Sequence, residues 1–302
     1  MNVRAVVLVL TLVMCMSCAT TENVGNDGPI IAPGAKVELV KTGFKFLEGP
    51  AADREGNLYF VDPPNSKLYK HSLNGEVTLV RDKTNMANGH YFDKNGNLVA
   101  CETMKRRIIS TKPDGEISVV ADSYRGKKFN NTNDLWIDPE GGIYFTDPRY
   151  MKKAGPMEQD GEHVYYVTPD GRNVIRVADD LERPNGIIGT PDGKRLYIAD
   201  HKGRKTYVYS ICSDGTLKDK KLFANQGSDG LTMDERGNVY FTSGNVTVYD
   251  PNGNLIKTVE VPEAPANVAF GGKDRKTLFI CARTSLYSLR MNVRGHKTVI
   301  ER

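Results

Sequence analysis

Short apolar runs alternate with polar, glycine-containing turns along the chain from about residue 50. In each repeat a polar turn leads directly into several residues rich in Val, Ile, Leu, Tyr and Phe, a pattern typical of a hairpin strand. The five clear repeats are DREGNLYFVD (53–62), DKNGNLVACE (93–102), DPEGGIYFTD (138–147), PDGKRLYIAD (191–200) and DERGNVYFTS (234–243), and KDRKTLFICA (273–282) keeps the rhythm without the glycine.

The spacing of these repeats indicates the architecture. The turn glycines Gly56, Gly96, Gly141, Gly193 and Gly237 are separated by 40, 45, 52 and 44 residues. A period of this length is typical of four-stranded propeller blades. Six units of roughly 43 residues account for nearly all of the chain beyond its N-terminus. The sequence therefore predicts an all-β fold, a six-bladed β-propeller with four-stranded blades.

Within one repeat the strands can be placed more closely. In the fourth unit we expect strands at 186–189, 195–199, 206–211 and 220–223, with TPDG and CSDG as the tight turns. No segment beyond the N-terminus has a long helical period. A ring of blades must be closed by pairing its two ends. Both KVELVKT (36–42) and the C-terminal KTVIER are candidates for the outer strand of the sixth blade.

The N-terminus has a different composition. Residues 5–16 are apolar and follow an early Arg4, which predicts a signal peptide over 1–18 and a protein exported from a bacterial cell. Ser17-Cys18-Ala19 resembles a lipobox, so we expect a periplasmic or cell-envelope lipoprotein anchored at Cys18; the alternative is ordinary cleavage and secretion. Residues 19–34 are predicted to be a flexible tether and 35–302 the propeller domain.

Composition narrows the partners. The formal charge is +4 with mixed acidic and basic residues and no basic run, which favours a small-molecule partner over nucleic acid. Contact with a membrane is expected only through the N-terminal lipid. Cys101, Cys212 and Cys281 are widely spaced and are expected to be free thiols. No zinc-binding cluster of Cys and His is present in the sequence.

A polar residue recurs at one place in every repeat. The residue eight positions before each turn glycine is an amide or a carboxylate, and blade 6 has its equivalent when aligned on the fourth repeat: the six are Glu48, Asn88, Asn133, Asn185, Asp229 and Asn267. Equivalent positions on the innermost strands of a propeller form a ring around its axis. We therefore expect these side chains to converge near one mouth of the central channel.

The chemistry of this ring favours a cation. Two carboxylates and several amide carbonyls are hard oxygen ligands, which suit one divalent ion, with Ca²⁺ favoured and Mg²⁺, Mn²⁺ or Zn²⁺ as alternatives. Each Asn or Asp taken singly is a common turn residue before Gly. Turn chemistry alone does not predict Glu48, nor an amide or carboxylate in all six repeats.

With these residues the chain resembles the SMP-30/gluconolactonase-like family, six-bladed propellers that include sugar lactonases. The resemblance extends from about residue 40 and rests on FLEGPA (46–51), ANGHYFDKNGNLVACE (87–102), KKFNNTNDLWIDPEGGIYFTDP (127–148), LERPNGIIGTPDGKRLYIAD (181–200), SDGLTMDERGNVY (228–240) and ANVAFGGKDRKTLFICARTSLY (266–287). It implies metal ligands at Glu48, Asn185 and Asp229, with Asn133 as a fourth ligand or substrate contact. The family's basic substrate-contacting residue falls on Asn131 here.

We therefore expect metal-assisted hydrolysis of a sugar lactone, with Asp229 as general base. Asn88, Asn131, Asn133, Glu102 and Asn267 are the expected substrate contacts. Asp147, Asp200 and His201 also follow second strands toward the same mouth, although each has an alternative role as a turn residue. The insertion at 148–163 is expected to form a lid, with His163 and His201 near it as further candidate bases.

Two other functions fit the same residues. One is a phosphotriesterase-like hydrolase that uses the same cation and Asp229. The other is a propeller without catalytic activity that binds sugars or proteins and holds Ca²⁺ for structural reasons.

Overall fold

The computed structural model describes residues 28–301. The predicted signal peptide, Cys18 and residues 19–27 of the predicted tether lie outside this range. Within it, no helix is long and apolar enough to cross a membrane.

The described chain forms six four-stranded antiparallel sheets arranged as the blades of a propeller, which confirms the predicted fold class. The chain begins with β1 (Glu38–Thr42). The first three blades are β2 (Glu48–Ala52), β3 (Leu58–Asp62), β4 (Lys67–His71) and β5 (Val77–Asp82); β6 (Ala87–Phe92), β7 (Leu98–Glu102), β8 (Arg107–Thr111) and β9 (Ile117–Ala121); then, after a hairpin of β10 (Ser123–Tyr124) and β11 (Lys127–Lys128), β12 (Leu135–Ile137), β13 (Ile143–Asp147), β14 (His163–Val167) and β15 (Val174–Ala178).

The remaining blades follow the same order from the axis outward. They are β16 (Pro184–Gly189), β17 (Arg195–Asp200), β18 (Lys205–Ile211) and β19 (Leu217–Ala224); β20 (Leu231–Met233), β21 (Val239–Ser243), β22 (Asn245–Tyr249) and β23 (Leu255–Val259); and β24 (Pro265–Gly271), β25 (Thr277–Ala282) and β26 (Ser285–Arg290) with β1. Among residues 28–301 the only helices are short 3-10 turns at Pro63–Asn65, Lys152–Ala154 and Val299–Glu301. The four strands predicted for blade 4 are present, each extended by one to four residues.

The N-terminal strand closes the ring. β1 pairs antiparallel with β26, with Glu38 opposite Ser288 and Thr42 opposite Ser285, so it becomes the outer strand of blade 6. The C-terminal candidate forms no strand over residues 297–301, the part of it that the structure describes. It ends instead in the 3-10 turn Val299–Glu301, where Glu301 forms an ion pair with Arg275 at 2.9 Å. The circle of blades is thus fastened by backbone hydrogen bonds that remove two open sheet edges.

Neighbouring blades pack through large apolar side chains. The ring of Trp136 in blade 3 lies against the backbone of Gly189 in blade 4, where a Cβ atom would come within 2.4 Å of the indole. Only glycine allows this approach. Burial of each such side chain stabilises the fold by about 1.5–3 kcal/mol. Cys101, Cys212 and Cys281 are free thiols, as predicted, and the first and last of them are buried.

Candidate active site

The innermost strands are irregular where the polar ring begins. In β2, β6, β16 and β24 the register shifts at or beside the ring residue, as between Glu48 and Ala51. In blades 3 and 5 the innermost strand starts two residues after the ring residue. A bulge releases a side chain from strict alternation and turns it in a new direction. The ring therefore depends on a local break in strand pairing, repeated around the axis.

Glycines bring neighbouring ring residues close together. The residue after the ring position is Gly49, Gly89, Gly186 and Gly230 in blades 1, 2, 4 and 5. Gly49 has φ +52°, and a Cβ there would lie 1.8 Å from the Asn88 carbonyl oxygen. A larger side chain would push the innermost strands apart and widen the ring.

Hydrogen bonds join the ring across blades. The Asn185 amide donates from Nδ2 to Asp229 Oδ1 at 2.6 Å, and Asn267 Nδ2 donates to Glu48 Oε2 at 3.0 Å. The same Glu48 oxygen accepts the Gly49 backbone N–H at 2.9 Å. No hydrogen bond within residues 28–301 engages the side chains of Asn88 or Asn133. The predicted residues of blades 1, 4, 5 and 6 therefore meet through their side chains.

Three carboxylates from alternate blades face one channel. Burial, and next the charge of Asp229, raise the pKa of Glu48 well above its usual range. Burial raises the pKa of Asp134 to about 7, and the charge of Asp229 adds to this. Burial also raises the pKa of Asp229, while the nearby His201, the hydrogen bond from Asn185 and the positive charge of Arg283 oppose the shift. Three mutually repelling carboxylates in a confined space favour a bound cation or a bound proton.

The donor set fits a hard divalent cation. The second oxygens of Glu48 and Asp229 accept no hydrogen bond within residues 28–301, and the Asn133 amide adds a neutral oxygen nearby in the ring. Within the same range, no three or more His, Cys, Asp or Glu side chains form a metal-binding cluster. The predicted ligands are two carboxylates and two amides, and oxygen donors of this kind suit Ca²⁺ better than Zn²⁺.

The blade 3 insertion reaches the ring. In the lid (residues 148–163), the Tyr150 hydroxyl accepts a hydrogen bond from Asn185 Nδ2 at 3.0 Å, and the Arg183 guanidinium lies 5.2 Å from the centre of the Tyr150 ring. Asn131 is fully buried and its Oδ1 accepts the Met151 backbone N–H at 2.7 Å. Asn131 thus anchors the lid, and its direct contact with substrate stays a prediction.

Two of the predicted strand-end carboxylates are held by local groups. Glu102 is buried and accepts hydrogen bonds from Asn85 Nδ2 at 3.1 Å and Arg107 Nε at 2.7 Å. Asp200 accepts the backbone N–H groups of residues 182, 183 and 203. Both carboxylates stabilise turns at the mouth, and the substrate contact predicted for Glu102 remains untested.

Asp147 and the two histidines differ in their relation to the ring. Asp147 Oδ2 accepts the Asn130 backbone N–H at 2.7 Å, and burial raises the Asp147 pKa to about 8. His163 is buried and bonded to Asp160 at 2.9 Å, with no contact to the ring. His201 is exposed, and its charge acts on Asp229. Of the two predicted alternative bases, only His201 is placed to influence the ring.

Sequence reasoning missed three residues at this mouth: Asp134, Tyr150 and Arg283. Asp134 occupies the position that is glycine in four other blades, so the repeat alignment carried a signal for it. Tyr150 lies in an insertion with no counterpart in other blades, and Arg283 lies in a turn. Neither has a sequence pattern that distinguishes it.

Comparison with known proteins identifies the relatives of this chain. The model of the SMP-30/gluconolactonase/LRE-like region matches residues 46–284. A gluconolactonase from Zymomonas mobilis is 29% identical over 301 residues, which cover 88% of this chain and 84% of the relative. The 6-deoxy-6-sulfogluconolactonase of Pseudomonas putida is 28% identical over 174 residues, covering 53% and 57%.

A solved structure extends the likeness to three dimensions. The gluconolactonase from Xanthomonas campestris superimposes with a TM-score of 0.81 at 28% identity, covering 88% of this chain and 95% of the other. The family match covers most of the chain and includes all six ring residues. The chain belongs to the SMP-30/gluconolactonase/LRE-like family.

Proposed function

We propose that this protein hydrolyses the lactone rings of sugar acids at the mouth that carries Glu48, Asn185 and Asp229. It is a lactone-hydrolysing enzyme, a hydrolase of carboxylic ester bonds, and both named relatives take their names from lactones of sugar acids. The observation that carries the proposal is the direct bond between Asn185 and Asp229 beside Glu48, because these residues converge from three blades at one open mouth.

We propose that Glu48, Asn133, Asn185 and Asp229 hold one divalent cation, with Ca²⁺ favoured by the oxygen ligands. Held by these residues, such an ion would polarise the lactone carbonyl group and would offset the negative charge that develops on its oxygen. Glu48 is held by Gly49 and Asn267, so its carboxylate is fixed before substrate arrives. Preorganised ligands reduce the cost of ordering the site during the reaction.

Asp229 is the proposed general base. The oxygen that accepts from Asn185 would also supply the ligand to the cation through its second lone pair, which leaves the other oxygen to take a proton from water as the water oxygen bonds to the lactone carbonyl carbon. The bond between the carbonyl carbon and the ring oxygen then breaks, and the released ring oxygen takes back from Asp229 the proton that came from water, which gives the open hydroxy acid and an ionised Asp229. His201 and Arg283 keep the Asp229 pKa from rising further, which favours the ionised base.

The amides around the mouth are the proposed substrate contacts. The side chains of Asn88 and Asn133 are not engaged by the described protein and can donate to sugar hydroxyls. Asn267 acts chiefly through Glu48, and Asn131 acts through the lid that it anchors. Glu102 requires rearrangement of its bond with Arg107 to reach a sugar.

The proposed reaction is tested with metal-stripped protein. Hydrolysis of glucono-δ-lactone is followed with a pH indicator, with subtraction of the spontaneous rate, before and after addition of Ca²⁺, Mn²⁺, Mg²⁺ or Zn²⁺. We expect chelation to remove activity and Ca²⁺ to restore it, and Asp229→Asn to stay inactive with every ion. Undiminished hydrolysis in excess chelator would contradict the metal role, and absence of hydrolysis with any ion would contradict the reaction.

Export and anchoring form a separate proposal. The apolar segment at 5–16 followed by Ser17-Cys18-Ala19 supports a lipid-anchored protein of the bacterial cell envelope. In a bacterial host, we expect wild-type protein in the membrane fraction with incorporated radiolabelled palmitate. Cys18→Ser is expected to lose the label. Soluble, unlabelled wild-type protein outside the cytoplasm would favour ordinary secretion.

A further inference from the structure

The rim of the mouth is uneven. It is formed by the turns between second and third strands, and in blade 3 this turn is the lid. In blade 5 only Gly244 separates β21 from β22, and in blade 6 only Arg283 and Thr284 separate β25 from β26. The innermost strands contact one another in the order of blades 1 to 6 and close the circle, so blade 3 lies opposite blade 6. The mouth is covered on one side and lowest on the other.

Arg283 lies on this low rim, close to the carboxylates. Its carbonyl oxygen accepts the backbone N–H of Leu47, the residue before Glu48, at 2.8 Å. Its guanidinium lies 5.9 Å from the centre of the Phe46 ring. Its positive charge also lowers the pKa of Asp229. A substituent of a bound lactone that points away from the lid would therefore approach Arg283.

The turn that carries Arg283 is rigidly held. Glu263 accepts hydrogen bonds from the backbone N–H of Thr284 at 2.8 Å, the Thr284 hydroxyl at 2.9 Å and the Tyr287 hydroxyl at 3.0 Å. The Ser285 hydroxyl donates to the same carboxylate. Glu263 is thus used to fix the hairpin and forms no ion pair with Arg283. The guanidinium is presented from a fixed backbone.

Arg283 is exposed and has no acidic partner within residues 28–301. Two other arginines of this mouth have acidic partners: Arg106 pairs with Glu158 at 3.1 Å, and Arg183 pairs with Glu162 at 2.9 Å. Arg283 also has φ +47°, a left-handed conformation that glycine adopts without strain and arginine does not. Folding would be favoured by Gly or Asn at this place in a two-residue turn.

We propose that Arg283 binds an anionic substituent of the substrate, so that the preferred substrates are sugar lactones carrying a phosphate, sulfonate or carboxylate group away from the ring carbonyl. A planar guanidinium can bind such a group through two parallel hydrogen bonds. This inference rests on the proposed lactone hydrolysis and specifies its substrate class.

The test compares an anionic lactone with its neutral counterpart. Initial rates are measured on 6-phosphoglucono-δ-lactone and glucono-δ-lactone for wild type, Arg283→Gly and Arg283→Lys. We expect wild type to have the higher kcat/KM on the phosphorylated lactone. Arg283→Gly should lower that value by about 10- to 100-fold, mainly through KM, and lower the value for the neutral lactone by a clearly smaller factor, which reflects only the loss of a positive charge that acts on Asp229. Arg283→Lys should give an intermediate loss.

Arg204 supplies the matched control. It is also exposed, has φ +52° in the corresponding turn of blade 4 and forms no ion pair within the described chain, but its charge does not act on Asp229. We expect Arg204→Gly to leave both lactones unaffected. An equal loss on both lactones in Arg283→Gly, or no wild-type preference for the anionic lactone, would overturn the proposal.

Two further measurements separate this inference from the proposed function. Arg283→Gly should keep or raise the melting temperature, because glycine relieves the left-handed strain; a large decrease would indicate a structural role instead. Isothermal titration calorimetry in Ca²⁺ then compares 6-phosphogluconate with gluconate, without turnover. If wild type hydrolyses neither lactone, the proposed reaction fails. The calorimetry still tests the anion site, because tighter binding of 6-phosphogluconate than of gluconate that is lost in Arg283→Gly would support it, and equal binding of the two acids would contradict it.

Discussion

Each blade carries Asp and Asn residues at both ends of its inner hairpin, and the two ends use them differently. At the turn end, Asp234 accepts the backbone N–H groups of Arg236 and Asn238 at 2.9 Å each, within four residues of itself. At the mouth, Asn185 bonds Asp229, which lies 44 residues away in the next blade. The residues at the turn end accept the backbone N–H groups of their own turn. The residues at the mouth leave oxygens directed into the shared channel.

The difference shows how one residue type serves two purposes in a repeat. The same contact is made by Asp53, Asp93 and Asp138, which, like Asp234, accept backbone N–H groups of their own turns. Such contacts stabilise a hairpin wherever it occurs. Four of the six ring residues are followed by glycine, and strand pairing is irregular beside the ring. The bonds from Asn185 to Asp229 and from Asn267 to Glu48 join neighbouring blades. The repeat period places both sets of polar residues at equivalent positions in the blades. Only their hydrogen-bond partners distinguish the residues that stabilise a turn from those available for binding or catalysis.

The largest expected effect is on the ring. Asp229→Asn should lower kcat/KM for glucono-δ-lactone by about 10²–10⁴-fold, because the general base is lost. The melting temperature should stay level or rise, because a charge that repels Glu48 and Asp134 is removed. Steady-state kinetics and thermal unfolding measure both. Activity within about threefold of wild type would exclude Asp229 as the base.

A matched substitution at the turn end should reduce the stability of the protein and leave its activity unchanged. Asp234→Ala removes the acceptor of two backbone N–H groups, the Asn238 amide and the buried Tyr240 hydroxyl. We expect the free energy of unfolding in urea to fall by about 2–4 kcal/mol while kcat/KM at 25 °C is unchanged. A loss of activity larger than the loss of folded protein would contradict this division of roles.

Asp147 lies between the two types, since one oxygen binds a backbone N–H and the other is buried without a partner. Burial raises its folded pKa to about 8, above the unfolded value, so the folded state binds the extra proton. Stability from this proton is present below about pH 4 and is lost as pH rises through 8.

Asp147→Asn carries no titrating proton, so its stability relative to wild type should increase between pH 5 and pH 9 by on the order of 2 kcal/mol. Thermal unfolding of both proteins at pH 5, 7 and 9 measures this difference. A difference that does not change with pH would show that Asp147 is ionised in the folded protein at all three values.

The smallest expected effect concerns the lid. Tyr150→Phe removes the hydroxyl that accepts from Asn185 and leaves that amide bonded to Asp229 alone. We expect kcat/KM to fall by about 2- to 10-fold, as for loss of one neutral hydrogen bond. Tyr249→Phe, which loses a hydroxyl bonded to Gln226 in blade 5, is the control. Equal effects of the two changes would deny Tyr150 a role at the ring.

Much of the fold follows from the chain alone, because a repeated turn and strand pattern permits few arrangements. The blade number, the strand placement in blade 4 and the free thiols were predicted correctly. The closing strand was left open because both termini have strand-like sequences, and pairing with β26 selected one of them. The roles of Glu102 and Asp147 were not separable from turn chemistry until their partners were known.

The sequence by itself determined the period, the six blades and the six polar positions of the ring, because equivalent residues of a closed repeat must face one axis. The tertiary structure decided which oxygens are engaged and which remain directed into the channel. It also brought three further residues to the mouth: Asp134, at a position that is glycine in four other blades, Tyr150, from the lid, and Arg283, from a turn with a left-handed backbone. Contacts between distant segments have no local signature, since they arise only when the ring of blades closes.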